Sequence, residues 1–286
     1  MKKPLFVSEV SSNHARDLKR CFKFIEKSAE IGCQAVKFQL FKIDQLFAPE
    51  ILSKSKRHRD REMWELPTTF LPELALCCQD NNIQFSCTPF YLDAVDELYE
   101  YVEFYKIASY EMVWDDLIAR CAQTGKPLVL STGMANLDEI AHACKVFEKN
   151  GGKEMTLLHC VSNYPTPVKE CNLAALKTLR DQFGYSIGWS DHSVKPSVIS
   201  RAVHQWGAEF IEFHLDLEGK GEEFSAGHCW LPEEIQPVIQ DVFEAFTADG
   251  NGEKQPRNDE MVERIWRADP SDGLRPFKQI REEFDG

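Results

Sequence analysis

Short apolar runs alternate with amphipathic stretches along most of the chain. Eight runs read as buried strands: Leu5–Val10, Gln34–Phe41, Ile83–Phe90, Phe104–Ser109, Pro127–Thr132, Met155–Ser162, Tyr185–Ser193 and Glu209–Leu215. Most carry Val, Ile, Leu and Phe on both faces, the mark of parallel strands covered on both sides. Helical spacing follows them. Leu18, Phe22, Ile25 and Ala29 fall on one helical face, and Gly32 offers a stop. Asn136 and Glu139 form a cap pair ahead of Leu137, Ile140, Ala141, Cys144 and Phe147. Asn172 opens Leu173, Leu176 and Leu179. Pro196 opens Val198, Ile199, Ala202, Val203 and Trp206, closed by Gly207, and Pro232 opens Ile235, Val238, Ile239, Val242 and Phe246. Further helices are expected near 70–81, 92–101 and 115–124.

Eight βα units in one chain predict an α/β fold, a single-domain (β/α)8 (TIM) barrel over residues 1–247. A polar extension, 248–286, follows it; it is too short for a further domain and holds one short helix near Asp259–Trp266. An open doubly wound sheet would place a Gly-rich phosphate loop after the first strand. That position reads EVSSNHARD instead, and no P-loop occurs elsewhere. Lys42–Thr69 is a long insertion after the second strand and contains KSKRHRDR, read either as a solvated face or as a lid.

Charge and cysteine content narrow the compartment and the partners. The 286 residues hold 33 Lys+Arg and 46 Asp+Glu, a net charge of −13. That balance argues against non-specific binding to nucleic acid or to an anionic membrane, though not against a small anionic substrate in a locally basic pocket. No run approaches the ~20 apolar residues that span a bilayer. The N-terminus turns polar at Ser8 and Glu9, too early for a signal peptide, so a cytoplasmic location is expected. Ten scattered cysteines without CxxC or zinc spacing read as reduced core thiols.

In a barrel the chemistry lies at the carboxyl ends of the strands. Every run carries polar side chains there: Glu9; Lys37 and Gln39; Thr88; Lys106 and Ser109; Ser131; Ser162 with Tyr164; Ser190, Asp191 and His192; Glu212 and His214. Ser190 and His192 share a strand face, as do Glu212 and His214. Neighbouring strands lie about 4.8 Å apart, so two inward imidazoles on the last two can hold one divalent ion and leave open positions. Lys37 and Lys106 need anionic company, because an unpaired buried ammonium is costly. Glu9, Glu111 or Glu212 could pair with them. Alternatively the lysines cradle a phosphate with the hydroxyls of Thr88, Ser109, Ser131 and Ser190, or one of them forms a Schiff base.

The motifs EVSSNH at 9–14, AVKFQ at 35–39, CTPF at 87–90, YKIASYE at 105–111, LSTGM at 130–134, HCVSNYPTP at 159–167, IGWSDHS at 187–193 and GAEFIEFH at 207–214 occur in one order. In that order the chain resembles the N-acetylneuraminate (sialic acid) synthase family over roughly residues 5–230. The resemblance implies a metal-assisted condensation of phosphoenolpyruvate with an N-acetylated hexosamine, N-acetylmannosamine or a relative. The products would be a nine-carbon 2-keto-3-deoxy acid and phosphate. It implies a divalent metal, usually Mn²⁺, on His192 and His214. It places Lys37, Thr88, Lys106, Ser109, Ser131 and Ser190 around phosphoenolpyruvate, and Glu9, Gln39, Glu111 and Tyr164 near the sugar. It further implies a homodimer.

Four departures stand out. The 286 residues hold no counterpart of the family's C-terminal antifreeze-like domain and its arginine, a place Arg267 or Arg275 could take. Ser162 stands where many relatives have Asn, beside the phosphate. EFSAGHCW replaces a GPDH-like segment, so a sugar-contacting Asp is missing and His228 is either its substitute or a surface residue. The insertion 42–69 is the fourth. All bear more on the choice of sugar than on the reaction. Rival readings are a Schiff-base aldolase or lyase on the same barrel, a metal-dependent hydrolase and a sugar-binding barrel without turnover.

Overall fold

The structure, a computed structural model, describes residues 2–284. Eight parallel strands follow chain order: β1 Leu5–Glu9, β2 Ala35–Leu40, β3 Gln84–Pro89, β4 Phe104–Ile107, β5 Leu128–Ser131, β6 Met155–Cys160, β7 Ser186–Asp191 and β8 Phe210–Leu215. β1 also pairs with β8, Leu5 opposite Phe210 through Glu9 opposite His214, and this closes the barrel. A two-residue strand, β9 (Cys229–Trp230), adds to β8 beside His214 and Leu215; the hydrophobic pattern carries no trace of it.

Alternation along the strands sorts the interior into layers. Val7, Ala35, Phe104, Val129, Leu158 and Phe210 meet as a buried apolar layer drawn from six strands. β7 contributes Gly188 at this level, and the space is needed: a Cβ there would sit 2.4 Å from the Phe210 carbonyl oxygen and 2.5 Å from Leu158. Two residues further along each strand stand Glu9, Lys37, Lys106, Ser131, Cys160, Ser190 and Glu212. Two further again come Gln39, Ser162, His192 and His214. The apolar layer is thus a floor, and the polar layers open toward the carboxyl end.

Helices cover the outside where the periodicity placed them, at Leu18–Glu30, Leu71–Asp80, Leu92–Leu98, Asp115–Gln123, Leu137–Lys149, Ala175–Phe183, Pro196–His204 and Pro232–Ala248. Asn136 caps its helix through Asp138 and Glu139 N–H, and the Glu139 carboxylate returns to the Asn136 N–H. Asn172 does not open the next helix: its backbone is left-handed at φ 43° and the helix starts at Ala175. Trp206 likewise lies beyond its helix, which ends at His204. Here Asn172 turns the chain instead of capping it, a use open to short polar side chains.

The insertion after β2 is not open loop. It forms short helical segments at Ile43–Leu46, Pro49–Lys54, Lys56–Arg59 and Asp60–Trp64, stitched by Ile43 N–H to Glu65 (2.7 Å) and by Arg61 over the Phe47 and Trp64 rings. The basic run supplies its helical turns. The chain to Glu244 is one compact unit, and the segment from Ala245 on is a second. The latter holds helical turns at Asn258–Glu260 and Met261–Arg264, a helix at Lys278–Glu282, and Arg267 stacked over Phe277 at 5.3 Å. All ten cysteines are free thiols. No helix among the described residues is long and apolar enough to cross a membrane.

Candidate active site

The charged layer comes first, because register creates it. Glu9 lies opposite Lys37 on one side and His214 on the other. Lys37 forms an ion pair with Glu9, lies 3.9 Å from Glu212, and donates to Thr88 Oγ1 at 3.0 Å. Lys106 stands 3.6 Å from Glu212 and donates to the Ile107 carbonyl at 3.3 Å. Glu212 accepts from Ser190 Oγ at 3.0 Å, and Gln39 Nε2 donates to Glu9 at 3.0 Å. Of the three carboxylates considered as partners for the lysines, Glu9 and Glu212 take that place; Glu111 does not. Two ammoniums and two carboxylates are thereby buried together, which avoids the cost of an isolated interior charge.

The two lysines are not equivalent. Burial works to lower the pKa of Lys37, but the charges of Glu9 and Glu212 outweigh it and the net shift is upward. Burial wins at Lys106: Glu212 opposes it, the Lys37 charge reinforces it, and the pKa falls. Burial alone would raise Glu212, yet Lys106 and Lys37 hold its carboxyl below the usual range. Glu111 follows β4 with no such neighbour in contact. Burial lifts it to about 7 against its own backbone N–H and the charge of Lys106, and its Oε2 is buried without a partner.

A second group of small polar atoms surrounds Gly133, after β5. Its N–H donates to Ser109 Oγ at 3.0 Å, and Ser109 Oγ lies 3.1 Å from Cys160 Sγ. A Cβ at residue 133 would fall 2.4 Å from Ser162 Oγ and 2.7 Å from Ser109 Oγ. Ser162 Oγ is buried with no partner. With Ser131 on the same side, the result is a concave hydroxyl cradle holding an unspent donor, a shape suited to an oxyanion.

The imidazoles form the third group. His192 and His214 have ring centroids 5.4 Å apart. His192 Nδ1 donates to the Val161 carbonyl at 3.0 Å, and His214 Nδ1 pairs with Glu223 Oε2 at 2.8 Å. Each ring is thus anchored through Nδ1, leaving Nε2 as the remaining ligand atom, the usual arrangement of a metal-binding histidine and its outer partner. Burial, with His214 nearby, pushes His192 down to about 3, so it stays neutral at physiological pH. On this chemistry the pair fits a divalent ion. Tyr164 stacks on His192 at 4.2 Å and reaches His228 at 5.0 Å, while its loop is pinned by Thr166 N–H donating to the His192 carbonyl at 2.9 Å.

All thirteen residues singled out in the sequence therefore lie at the carboxyl mouth, in strands β1–β8 or directly after them, with Glu111 apart from the charged layer. Three more residues belong with them: sequence reasoning named Glu212 as a partner for the lysines, left His228 as either a substitute for the missing Asp or a surface residue, and missed only Glu223. Glu212 was legible, being two residues before His214 on the same face. Glu223 was not, since it comes from the loop after β8 and obeys no period, and the same loop left the place of His228 open. His228 is no surface residue: it is 6 % exposed, beside β9. Asp191, next to Ser190 and His192, faces the other way. It accepts from the indoles of Trp189 (2.9 Å) and Trp230 (3.0 Å) and from Ser193 Oγ (2.6 Å).

A closed parallel barrel whose carboxyl mouth gathers buried lysines, carboxylates, hydroxyls and imidazoles defines an enzyme of the (β/α)8 class. The NeuB family profile matches residues 24–254, and the chain belongs to that family, the sialic acid synthases. Its sequence is 36% identical over 276 residues to an N,N'-diacetyllegionaminic acid synthase from Campylobacter jejuni, covering 91% of this chain and 82% of that one. A pseudaminic acid synthase from the same organism is 28% identical over 88% of this chain and 76% of its own. The structure superposes on an N-acetylneuraminic acid synthetase from Leptospira borgpetersenii, solved with citrate, at a TM-score of 0.79 and 29% identity, covering 92% and 90% of the two chains.

Proposed function

We propose that this enzyme condenses phosphoenolpyruvate with an N-acetylated hexosamine, giving a nine-carbon 2-keto-3-deoxy acid and inorganic phosphate. The observation that carries the reading is the Lys37–Glu9–Glu212–Lys106 layer, set beneath two anchored histidines and beside a hydroxyl cradle with a free donor. His192 and His214 would hold the divalent ion, taken as Mn²⁺ from the family resemblance; when bound it supplies a Lewis acid for the sugar carbonyl oxygen.

The chain's own residues account for the rest. Ser109, Ser131 and Ser162 offer O–H donors to phosphate and carboxylate oxygens, Ser190 holds Glu212 beside them through its own O–H, and the Lys37 and Lys106 ammoniums balance the charge of the enol phosphate. Thr88 fixes Lys37. Glu9, already tied to Gln39, and Tyr164 at the mouth bound the sugar. C3 of the enol attacks the open-chain aldehyde carbon, forming the new C–C bond. Water adds at C2, and the tetrahedral carbon then expels phosphate as the C2–O bond breaks. Glu111, titrating near neutrality, is suited to move the proton between water and the sugar oxygen.

The lowered pKa of Lys106 favours one other reading, a Schiff-base lyase. Both are tested together. Phosphate release from phosphoenolpyruvate is measured with Mn²⁺ across a panel that includes N-acetylmannosamine, its 6-phosphate and di-N-acetylated 6-deoxy sugars. Release with at least one sugar, lost in His192→Ala or His214→Ala, supports the synthase. Silence with every sugar, together with a borohydride-trapped keto acid on Lys106, supports the lyase. A homodimer acting on small molecules, with no nucleic acid or membrane partner, in the cytoplasm, completes the proposal.

A further inference from the structure

The loop after β8 places a third imidazole against the pair. The helix Glu222–Ala226 turns back, and β9 seats Cys229 opposite His214. His228 then lies with its ring 4.9 Å from His214 and 6.5 Å from His192. One Glu223 carboxylate oxygen serves both neighbours, 2.8 Å from His214 Nδ1 and 3.6 Å from His228 Nε2. His228 Nδ1 is buried without a partner. One donor atom each from His214, Glu223, His228 and Cys229 falls within 4.8 Å of the others. That set leaves out His192; what gathers all three imidazoles is the ring spacing, 5.4 Å from His192 to His214, 4.9 Å from His214 to His228 and 6.5 Å from His192 to His228.

We infer that His228 joins His192 and His214 as a third metal ligand, with Glu223 as the carboxylate that positions His214 and His228. A buried ring nitrogen with nothing to bond is costly unless something takes it up, and the His214 ring, one of the pair that fits an ion, packs against His228 at 4.9 Å. Cys229 is otherwise engaged: Asn13 Nδ2 approaches its sulfur at 3.9 Å, and that sulfur faces Glu223 at 4.0 Å. Three imidazoles change the preference of the site. Imidazole-rich sets suit Zn²⁺, Co²⁺ and Fe²⁺, whereas Mn²⁺ favours oxygen donors. The site therefore discriminates more strongly for borderline ions than a two-histidine site would.

The inference rests on the metal reading of His192 and His214 and is tested apart from turnover. The full chain, stripped with a chelator, is titrated with Co²⁺ and followed by its visible absorption, then with Mn²⁺ in competition. His228→Ala and His228→Gln, folded by their circular dichroism, are expected to weaken Co²⁺ binding by about tenfold or more. They are also expected to narrow the Co²⁺-to-Mn²⁺ ratio. Glu223→Gln should weaken Co²⁺ less than either. Wild-type affinity in both folded His228 variants overturns the inference. So does a thiolate-to-cobalt charge-transfer band, which gives the third place to Cys229. Unchanged affinity in His192→Ala overturns the metal reading beneath it.

Discussion

Glu111 shows how one side chain links stability to chemistry. Its carboxyl has an ordinary value of 4.5 and is lifted to about 7, mainly by burial. The folded protein therefore holds this proton more tightly than the unfolded chain does. Stability from the group is fully present below about pH 4.5 and is lost as pH rises through 7. Glu111→Gln, neutral throughout, should melt higher than the parent at pH 8, with the gap closing near pH 4.5. It should also remove the limb near pH 7 from the rate profile and lower kcat about 10²-fold or more. Loss of turnover without loss of that limb would assign the proton to another group. At this scale the sequence was most legible where alternation decides: Lys37, Ser190 and Glu212 follow from counting by twos along strands. Which carboxylate pairs with which lysine was not legible, because that depends on register between strands far apart in the chain.

Among the elements, β7 and its continuation carry most of the positioning. Ser190 and His192 face inward while Asp191, between them, faces outward and ties two indoles and a hydroxyl. Removing that carboxylate strands both indoles and the Ser193 hydroxyl, together with the Ser193 and Val194 N–H groups that it also accepts. Asp191→Ala should cost about 3 kcal/mol or more in chemical denaturation, since each buried donor left unsatisfied costs about 1–3 kcal/mol, and should weaken metal binding because β9 is held through Trp230. Asp191→Asn keeps part of the acceptor set and should lose less. The capping box on the helix Leu137–Lys149 is a smaller case, and Asn136→Ala should cost about 1 kcal/mol in the same measurement. Helices with a proline or a capping box at the start were placed from sequence to within a residue or two. The Asn172 start failed because an Asn before leucines looks the same whether it caps or turns. β9 escaped because two residues make no period, and its place beside β8 is set by tertiary pairing alone.

For the whole molecule, eight repeats of strand and helix made the architecture readable, since each strand must be covered on both faces and only closure leaves no exposed edge. The sugar was not readable, because the loops at the carboxyl mouth obey no period that would place their side chains. Closure also makes the molecule depend on its first strand. A chain lacking residues 2–10 leaves β2 and β8 with open edges and removes Glu9 from Lys37. It should show no cooperative thermal transition and should aggregate on size-exclusion chromatography, whereas a chain lacking only Lys2 and Lys3 should behave as the parent.

The seam between β1 and β8 has a consequence for biosynthesis. Leu5 finds its partner at Phe210, so a strand made early waits for one made about two hundred residues later. During that interval the nascent N-terminal strand is an apolar ribbon with one side bare. A cell making this enzyme must shield that ribbon until the far end emerges, and slow decoding late in the message lengthens the exposure.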